Sequence, residues 1–355
     1  MENIHKDSNF AKAFYFLASI FIFVWALSSL SNILTPIAIA ILIWFLINAF
    51  AEQIKKIFFL NNKVGDYISI PLSLIVIVYL MFEVGSFIAS SMFALSSTIS
   101  LLDSKVITLI EKLSTLTSFD LVTPLQKILQ EFSLSTVINK VISAFSNIFS
   151  NIVQILLYVL FLLLDQRFFN AKLNALFPND NHKNKAKHVL TSISNSIKTY
   201  ISITTIISLA TGFLTYIVCQ MFSLEGAVLW GFIAFVLNFI PTIGSIIAVL
   251  IPTIFALIQF TLISDVLILF VLLISIQFVL GNIIQPKMMG NKLNISQFVV
   301  ILSLVIWGAM WGTIGMFLSV PLMVILLIIF SQFEHTKSLA ILISGDGKIV
   351  LKDKA

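Results

Sequence analysis

The feature that most constrains the fold of this chain is a succession of apolar runs, each about 20 residues long and able to cross the bilayer core as a helix. Repeated runs of this kind predict a polytopic membrane protein. The composition agrees, because 59% of the residues are hydrophobic and 10% are charged, whereas soluble domains average roughly 25% charged. We therefore expect an all-α, multi-span transmembrane protein in contact with the lipid bilayer.

Two apolar stretches near the C-terminus are too long, and too often broken by proline and glycine, to be one ordinary helix each. The first runs from Trp230 to Phe260 and the second from Phe298 to Phe333. A broken helix frees backbone amides and carbonyls that hydrocarbon cannot hydrate, so it is tolerated at bilayer depth only inside protein or beside a water-filled path. The pair of interrupted elements predicts transport.

Simple spans account for the other apolar runs. They are expected at about 13–30, 37–50, 68–95, 148–164, 201–222 and 266–280, with a turn at Ser31–Asn32 and span two starting after Pro36. An amphipathic helix is expected to lead into the fifth span. The predicted segments are 1–95 (spans one to three), 96–147 (extramembrane amphipathic helices), 148–200 (span four and a cytoplasmic loop), 201–333 (the transport core) and 334–355 (the tail). Residues 96–147 are interpreted either as a far-side subdomain or as helices lying in the membrane interface.

The positions of the lysines predict the topology. Lysines collect between spans, which by the positive-inside rule places both termini in the cytoplasm. A fold-back of the first interrupted stretch at Pro241–Thr242 keeps Lys287 and Lys292 inside, whereas a single crossing leaves them outside. The bias therefore favours re-entrant hairpins entering from opposite faces, with one long span for each stretch as the open alternative.

Polar residues inside apolar stretches are the candidates for function. Glu83 is interpreted as an ion-coupling acid or as a helix-end contact. Asn238 precedes the first break, where its amide could satisfy freed backbone groups or contact a substrate. Asn282 and Gln285 precede Pro286, which is expected to end a helix, so they are ligands or C-caps.

Three glycines in the second interrupted stretch, Gly308, Gly312 and Gly315, recur at helical spacing and are expected on one face of a helix. They are interpreted as sites of close helix packing or as a hinge. Enzyme signatures are missing from the chain: it has no Walker loop, nucleophile elbow, zinc motif or Cys-x-x-Cys, and its histidines lie in terminal or loop segments. We expect no enzyme activity, no cofactor, no metal site and no nucleic-acid partner.

An ordered set of motifs resembles the autoinducer-2 exporter family of bacterial membrane proteins, also called predicted permeases. The set comprises NFIPTIGSIIAVLIP, QFVLGNIIQPKMMG, WGAMWGTIGMFLSVP and SLAILISGDG, and the earlier LTPIAIAILIWFLINAF and YVLFLLLDQ fit the same pattern. The resemblance implies a homo-oligomeric inner-membrane permease, with a pentamer expected. It also implies transport of autoinducer-2 or, as in other members, exchange of sodium or lithium for protons.

The pathway residues follow mainly from that resemblance, with Gln277 added as a polar residue inside a span. The predicted substrate pathway consists of Asn238, Pro241, Gly244, Pro252, Gln277, Asn282, Pro286, Gly290, Gly308, Gly312, Gly315 and Pro321. Two departures stand out: Gly281 occupies a position where the family often has an acidic residue, and Asn294-Ile295-Ser296 stands where a histidine–proline pair is common. The first departure weakens the antiporter interpretation.

Three functions are compatible with this sequence. The leading hypothesis is a secondary transporter or facilitator of a small polar solute. The second is a sodium or lithium/proton antiporter in which Glu83 is the coupling acid. The third is a non-transporting membrane scaffold whose helix breaks serve oligomer packing.

Overall fold

The computed structural model describes residues 2–58, 65–83, 85–86, 90, 150–290 and 293–348. The helices in this part of the chain are α1 (Glu2–Ser29), α2 (Ser31–Ile57), α3 (Gly65–Glu83), α4 (Ile152–Leu176), α5 (Asp180–Met221), α6 (Ala227–Leu237), α7 (Ile243–Gln259), α8 (Ile263–Met289), α9 (Gln297–Phe330) and α10 (Lys337–Ile343). Six of them, α2, α3, α4, α5, α8 and α9, are long and apolar enough to cross a membrane. The predicted all-α, multi-span fold is confirmed, while the 96–147 segment lies outside the described residues.

The start of α2 differs from the sequence prediction. The break after α1 falls at Leu30, Ser31 is already helical, and Pro36 lies inside α2 rather than before it. Proline is tolerated there because it lies within the first turns of the helix, where only the Asn32 carbonyl loses its helical donor. The second span therefore begins with a polar turn that the prediction had assigned to a loop.

The longest element is α5, whose 42 residues span about 63 Å at a rise of 1.5 Å per residue. Its N-terminus is capped by Asn179, whose side chain accepts a hydrogen bond from the backbone N–H of Asn181 at 3.0 Å. The predicted amphipathic helix and fifth span are thus one unbroken helix. Helix α6 crosses α5 where Gly212 faces Gly231, since a Cβ on either glycine would lie 2.7 Å from the carbonyl oxygen of the other.

Helix α8 continues past the point where the sequence predicts its end. Residues Phe278–Ile284 form a π-helical segment, and α-helix resumes through Pro286 until Gly290, which has φ 51°. A proline cannot donate the usual helical hydrogen bond and crowds the carbonyl four residues earlier, and the wider π turn relieves both problems. Asn282 and Gln285 therefore lie within the helix and do not cap its end.

Helices α6 and α7 fold back on each other, and we call this pair hairpin A. The chain reverses over residues 238–242, where Thr242 adopts φ 61° and ψ −59°. At the open end, the Gln259 side chain accepts from Glu225 N–H and donates to Ser223 O, both at 2.8 Å. Between these points the Trp230 and Phe255 rings lie 5.2 Å apart. These contacts join the two helices along their length.

Helix α9 is also a pair of antiparallel arms, which we call hairpin B. Its chain reverses at Gly312, whose φ 63° and ψ −147° are not helical. A Cβ on Gly308 would lie 2.9 Å from the Met316 side chain, and one on Gly315 would overlap the Trp307 carbonyl. The three glycines are therefore not on one helix face: Gly312 makes the turn, and the other two let the arms approach.

The open ends of the hairpins lie at opposite ends of α5. Hairpin A is anchored beside the last residues of α5, through the Ser223 and Gln259 contact. Val324 of hairpin B instead packs with Ile197 and Tyr200. The distance along α5 from Ile197 to Met221 is about 36 Å. We call the end of the molecule near Ile197 the clasp end and the opposite end the Met221 end.

The clasp end takes its name from a C-terminal clasp, in which residues 343–348 bind the loop before α9. The Ser296 N–H donates to Ile343 O at 3.0 Å, and the Gly345 N–H donates to Asn294 O at 3.1 Å. The SLAILISGDG motif supplies this clasp. It holds the open end of hairpin B against the rest of the molecule.

Candidate transport pathway

The two hairpins meet near the middle of α5. Phe239, in the turn of hairpin A, stacks on Phe317 of hairpin B with ring centroids 4.9 Å apart. The neighbouring Asn238 is buried and donates from Nδ2 to Ser208 Oγ of α5 at 3.0 Å. The turn of hairpin A is thus fixed both to α5 and to the partner hairpin.

An apolar cavity, which we call the chamber, lies between the hairpins, α2, α3 and α5. Its volume is about 320 Å³. Its polar side-chain groups are three hydroxyls, those of Tyr200, Thr205 and Thr313. The other lining residues are Ile39, Leu42, Ile43, Leu46, Ile77, Met81, Ile201, Phe235, Val236, Leu237, Phe239, Ile240, Ile314, Phe317 and Pro321. Every described residue of this lining is uncharged.

A second cavity, which we call the vestibule, lies beside the turn of hairpin B and has a volume of about 550 Å³. It is much more polar than the chamber. Its described lining consists of Ser31, Asn32, Thr35, Pro36, Ile39, Asn151, Ile155, Met310, Trp311, Gly312 and Ile314. Because Pro36 has no N–H to donate, the Asn32 carbonyl adds a backbone acceptor at this site. The vestibule therefore offers uncharged hydrogen-bonding groups.

The turn of hairpin B is fixed in the vestibule by its tryptophan. Trp311 donates from Nε1 to the Leu27 carbonyl of α1 at 3.0 Å. This hydrogen bond joins the last turns of α1 to Gly312, the residue at which the arms reverse.

On its clasp-end side the chamber adjoins an apolar cluster with polar contacts around it. The buried members of the cluster are Phe45, Ile197, Tyr200, Ile201, Val320 and Val324. On α2, Trp44 donates to Gln166 Oε1 of α4 at 2.7 Å, and Glu52 pairs with Lys198 of α5. Lys55 also pairs with Asp66 at the start of α3. These contacts hold α2 against three neighbouring helices.

The predicted pathway residues are spread over several places in the molecule. Gly312 lines the vestibule and Pro321 lines the chamber. Asn238 and the half-buried Pro241 flank chamber residues of hairpin A. Gly244, Gly308 and Gly315 instead provide close contact between hairpin arms, and Pro252 is buried inside α7.

The pathway residues predicted on α8 lie apart from both cavities. Gln277 is buried, and its Oε1 has no hydrogen-bond partner among the described residues. Asn282, Pro286 and Gly290 are exposed towards the end of the helix. Their assignment to the pathway stays a prediction.

Glu83 lies on α3 and is exposed, and residues 85–86 beyond it are also helical. It is absent from the described lining of either cavity. Its side chain lies close to that of Tyr79, one turn earlier. The two interpretations of Glu83, as an ion-coupling acid and as a helix-end contact, stay predictions. Across the described residues, no group of three or more His, Cys, Asp and Glu side chains could hold a metal ion.

Several lining residues escaped the sequence analysis. Ser31, Asn32 and Thr35 line the vestibule, and Phe239 and Phe317 meet between the hairpins. The polar residues could have been found from their position, because 31, 35 and 39 share one helix face ahead of an apolar run. The aromatic pair carried no comparable signal, since the chain holds 33 phenylalanines.

Comparison with known proteins gives one family and several relatives. Residues 14–335 match the model of the AI-2E family transporters. The chain is 28% identical over 322 residues to the AI-2 transport protein TqsA of Escherichia coli, an alignment that covers 90% of this chain and 91% of that protein. The similarity to TqsA therefore extends over nearly the whole chain.

Two further relatives are more similar over shorter segments. The chain is 36% identical over 197 residues to a "Putative transport protein" of Borreliella burgdorferi, covering 55% of this chain and 54% of that protein. It is 37% identical over 213 residues to a "Putative transport protein" of Haemophilus influenzae, covering 59% and 60%. The chain thus matches little more than half the length of these two relatives.

Proposed function

The chain belongs to the AI-2E transporter family and is a multi-pass membrane permease, and from this premise we propose that it carries a small, uncharged, hydrogen-bonding solute of the AI-2 type. The proposed route runs between the vestibule and the clasp end, passing between the hairpins through the chamber. The helix breaks at 238–242 and Gly312 border this route.

The observation that carries the proposal is the chemistry of the vestibule. Its described polar lining consists of hydroxyl, amide and indole groups with no ionisable side chain. Such groups can replace the water around a neutral hydroxylated solute, whereas a cation would lose its hydration without a compensating charge. The similarity to TqsA, named for AI-2 transport, supports the same class of solute.

We also propose the setting in which the permease works. The clasp end carries Lys198, Lys337 and Lys348, so the positive-inside rule places it in the cytoplasm of a bacterial inner membrane. The hairpins then enter the bilayer from opposite faces as re-entrant elements. Assembly into a homo-oligomer, expected as a pentamer, is proposed from the family resemblance.

Flux through the purified protein in sealed vesicles tests the proposal. Vesicles are loaded with AI-2 or with a panel of neutral polyols, and efflux is compared with protein-free vesicles. We expect Thr35→Val to lower the initial rate about fivefold, because it removes one vestibule hydroxyl worth about 1 kcal/mol while keeping the side-chain shape. Thr253→Val is the matched control, since Thr253 lies in α7 and bonds Val249 O; its flux should equal that of the native chain.

Two results would contradict the proposal. One is the absence of protein-dependent efflux for every neutral solute in vesicles that contain folded protein. The other is sodium-dependent proton flux that Glu83→Gln abolishes, which would favour the antiporter.

A further inference from the structure

The vestibule and the chamber are neighbouring cavities with part of their lining in common. Of their described lining residues, Ile39 of α2 and Ile314 of hairpin B are the two that border both cavities. Both side chains are half-buried. A solute that moves from one cavity to the other must therefore pass these two isoleucines.

The polarity of the path changes at these residues on both elements. Along α2, Ser31 and Thr35 face the vestibule, whereas Ile43 and Leu46 face the chamber. Successive members of this row are about 4.5 to 6 Å apart along the helix, so the change occurs within about one turn on either side of Ile39.

Hairpin B shows the same change over a shorter distance. Trp311 and Gly312 line the vestibule, and Phe317 and Pro321 line the chamber. Ile314 lies between these groups, next to Thr313, whose hydroxyl also lines the chamber. On both elements, therefore, the lining changes from mostly polar to mostly apolar near these two isoleucines.

We propose that Ile39 and Ile314 form a hydrophobic gate that keeps the chamber dry until the hairpins move apart. The gate rests on the proposed route, but it concerns whether water enters the chamber and not which solute is carried. Narrow apolar constrictions exclude water without a physical plug, and they close a path to hydrated solutes in this way. The gate would restrict passage to solutes that can leave their water at the vestibule groups.

A pair of isosteric variants isolates polarity from size. Ile39→Thr with Ile314→Thr, and Ile39→Val with Ile314→Val, remove similar volumes, but the threonine pair adds hydroxyls that hold water. A reporter cysteine is introduced in the chamber by Thr205→Cys, in a Cys219→Ala background. A second reporter, Ser31→Cys, marks the vestibule. A small, water-soluble, membrane-impermeant methanethiosulfonate is then added to the vestibule face of protein in sealed vesicles.

We expect the chamber reporter to react about tenfold faster in the threonine pair than in the valine pair, because wetting of the constriction admits the reagent. The vestibule reporter should react at the same rate in both. Equal rates at the chamber reporter would overturn the gate, as would an unreactive vestibule reporter. Thermal denaturation in detergent identifies misfolded variants, and the single substitutions at Ile39 or Ile314 replace any pair that misfolds.

The labelling result is independent of the transported solute. If the expected rates are found and no solute moves, the gate stands and the proposed function fails. If AI-2 moves equally well through the threonine and valine pairs while their labelling rates also agree, the function stands and the gate fails.

Discussion

At the scale of single residues, two glycines make the hairpins possible by the absence of a side chain. The backbone of the opposite arm fills the place where a Cβ on Gly244 or Gly315 would lie. Backbone atoms cannot move aside as a flexible side chain can. The hairpin turns must therefore open if either position gains even one methyl group.

We predict that Gly244→Ala and Gly315→Ala each destabilise the protein by about 3 kcal/mol, the upper part of the usual range for overpacking. The measurement is the thermal denaturation midpoint in one detergent. Gly281→Ala is the control, because a Cβ there has no atom within 4 Å, and its midpoint should stay close to that of the native protein. A denaturation midpoint for Gly244→Ala equal to that of the native protein would show that the turn of hairpin A can accommodate a methyl group at this position.

Asp346 makes the C-terminal clasp sensitive to acid. The Lys348 N–H donates to its Oδ1 at 2.9 Å and the Asn294 amide donates at 2.7 Å. These bonds favour the charged carboxylate and hold the pKa of Asp346 below its ordinary value. A lowered folded-state pKa stabilises the clasp above the unfolded-state pKa, and this contribution is lost as pH falls through the folded-state pKa.

We therefore predict that the clasp loosens in acid, below the ordinary pKa range of aspartate. Hydrogen exchange at the Ser296 and Gly345 amides, corrected for the intrinsic effect of pH, measures the loosening. Asp346→Asn keeps an acceptor oxygen but cannot titrate, so its corrected exchange should not change over the same pH range. Identical pH profiles for both proteins would assign the acid response to another group.

At the scale of whole elements, one side chain holds together the two arms of hairpin A at the end opposite its turn. Gln259 bonds backbone groups of both Ser223 and Glu225, and these residues connect α5 to α6. We predict that Gln259→Ala destabilises this loop by about 1–2 kcal/mol, because two hydrogen bonds are lost.

Hydrogen exchange of the loop measures that effect. Amides of residues 223–226 should exchange about tenfold faster in Gln259→Ala, while amides of the hairpin B turn should keep their native rates. Gln220→Ala is the matched control, since Gln220 is an exposed glutamine at the same end of α5. Equal loop exchange in the two variants would show that packing alone closes hairpin A.

At the scale of the whole molecule, the opposite placement of the hairpins predicts which surfaces meet which side of the membrane. Glu225 lies at the Met221 end and Lys337 at the clasp end, and both are exposed. In a Cys219→Ala background, we expect Glu225→Cys to react with an impermeant thiol reagent only from outside the cell. Lys337→Cys should react only from the cytoplasmic side.

Right-side-out and inside-out vesicles provide this comparison. The native chain is the control, because its one cysteine, Cys219, is buried and should stay unlabelled in both preparations. Labelling of both introduced cysteines from the same side would exclude entry of the hairpins from opposite faces.

Much of the element order follows from local features of the chain. The apolar runs predict spans because hydrocarbon demands apolar side chains and internally satisfied backbone over a fixed thickness. The sequence predicts the break of hairpin A at Pro241–Thr242, and the chain reverses there. A proline disturbs its own helix through local geometry, whatever its tertiary contacts. Pro36 and Pro286 show the limit of that rule, since one lies in the first turns of a helix and the other follows a π segment.

By itself the sequence determined the all-α membrane class, the two interrupted elements and the family. The tertiary structure decided that hairpin B reverses at Gly312, and that polar α2 residues form the vestibule. It also decided that Ile39 and Ile314 stand between the two cavities. The physical reason is that hydrophobicity and helix breaking are properties of neighbouring residues, whereas a cavity is the space left between segments far apart in the chain. Its walls are known only once those segments have packed.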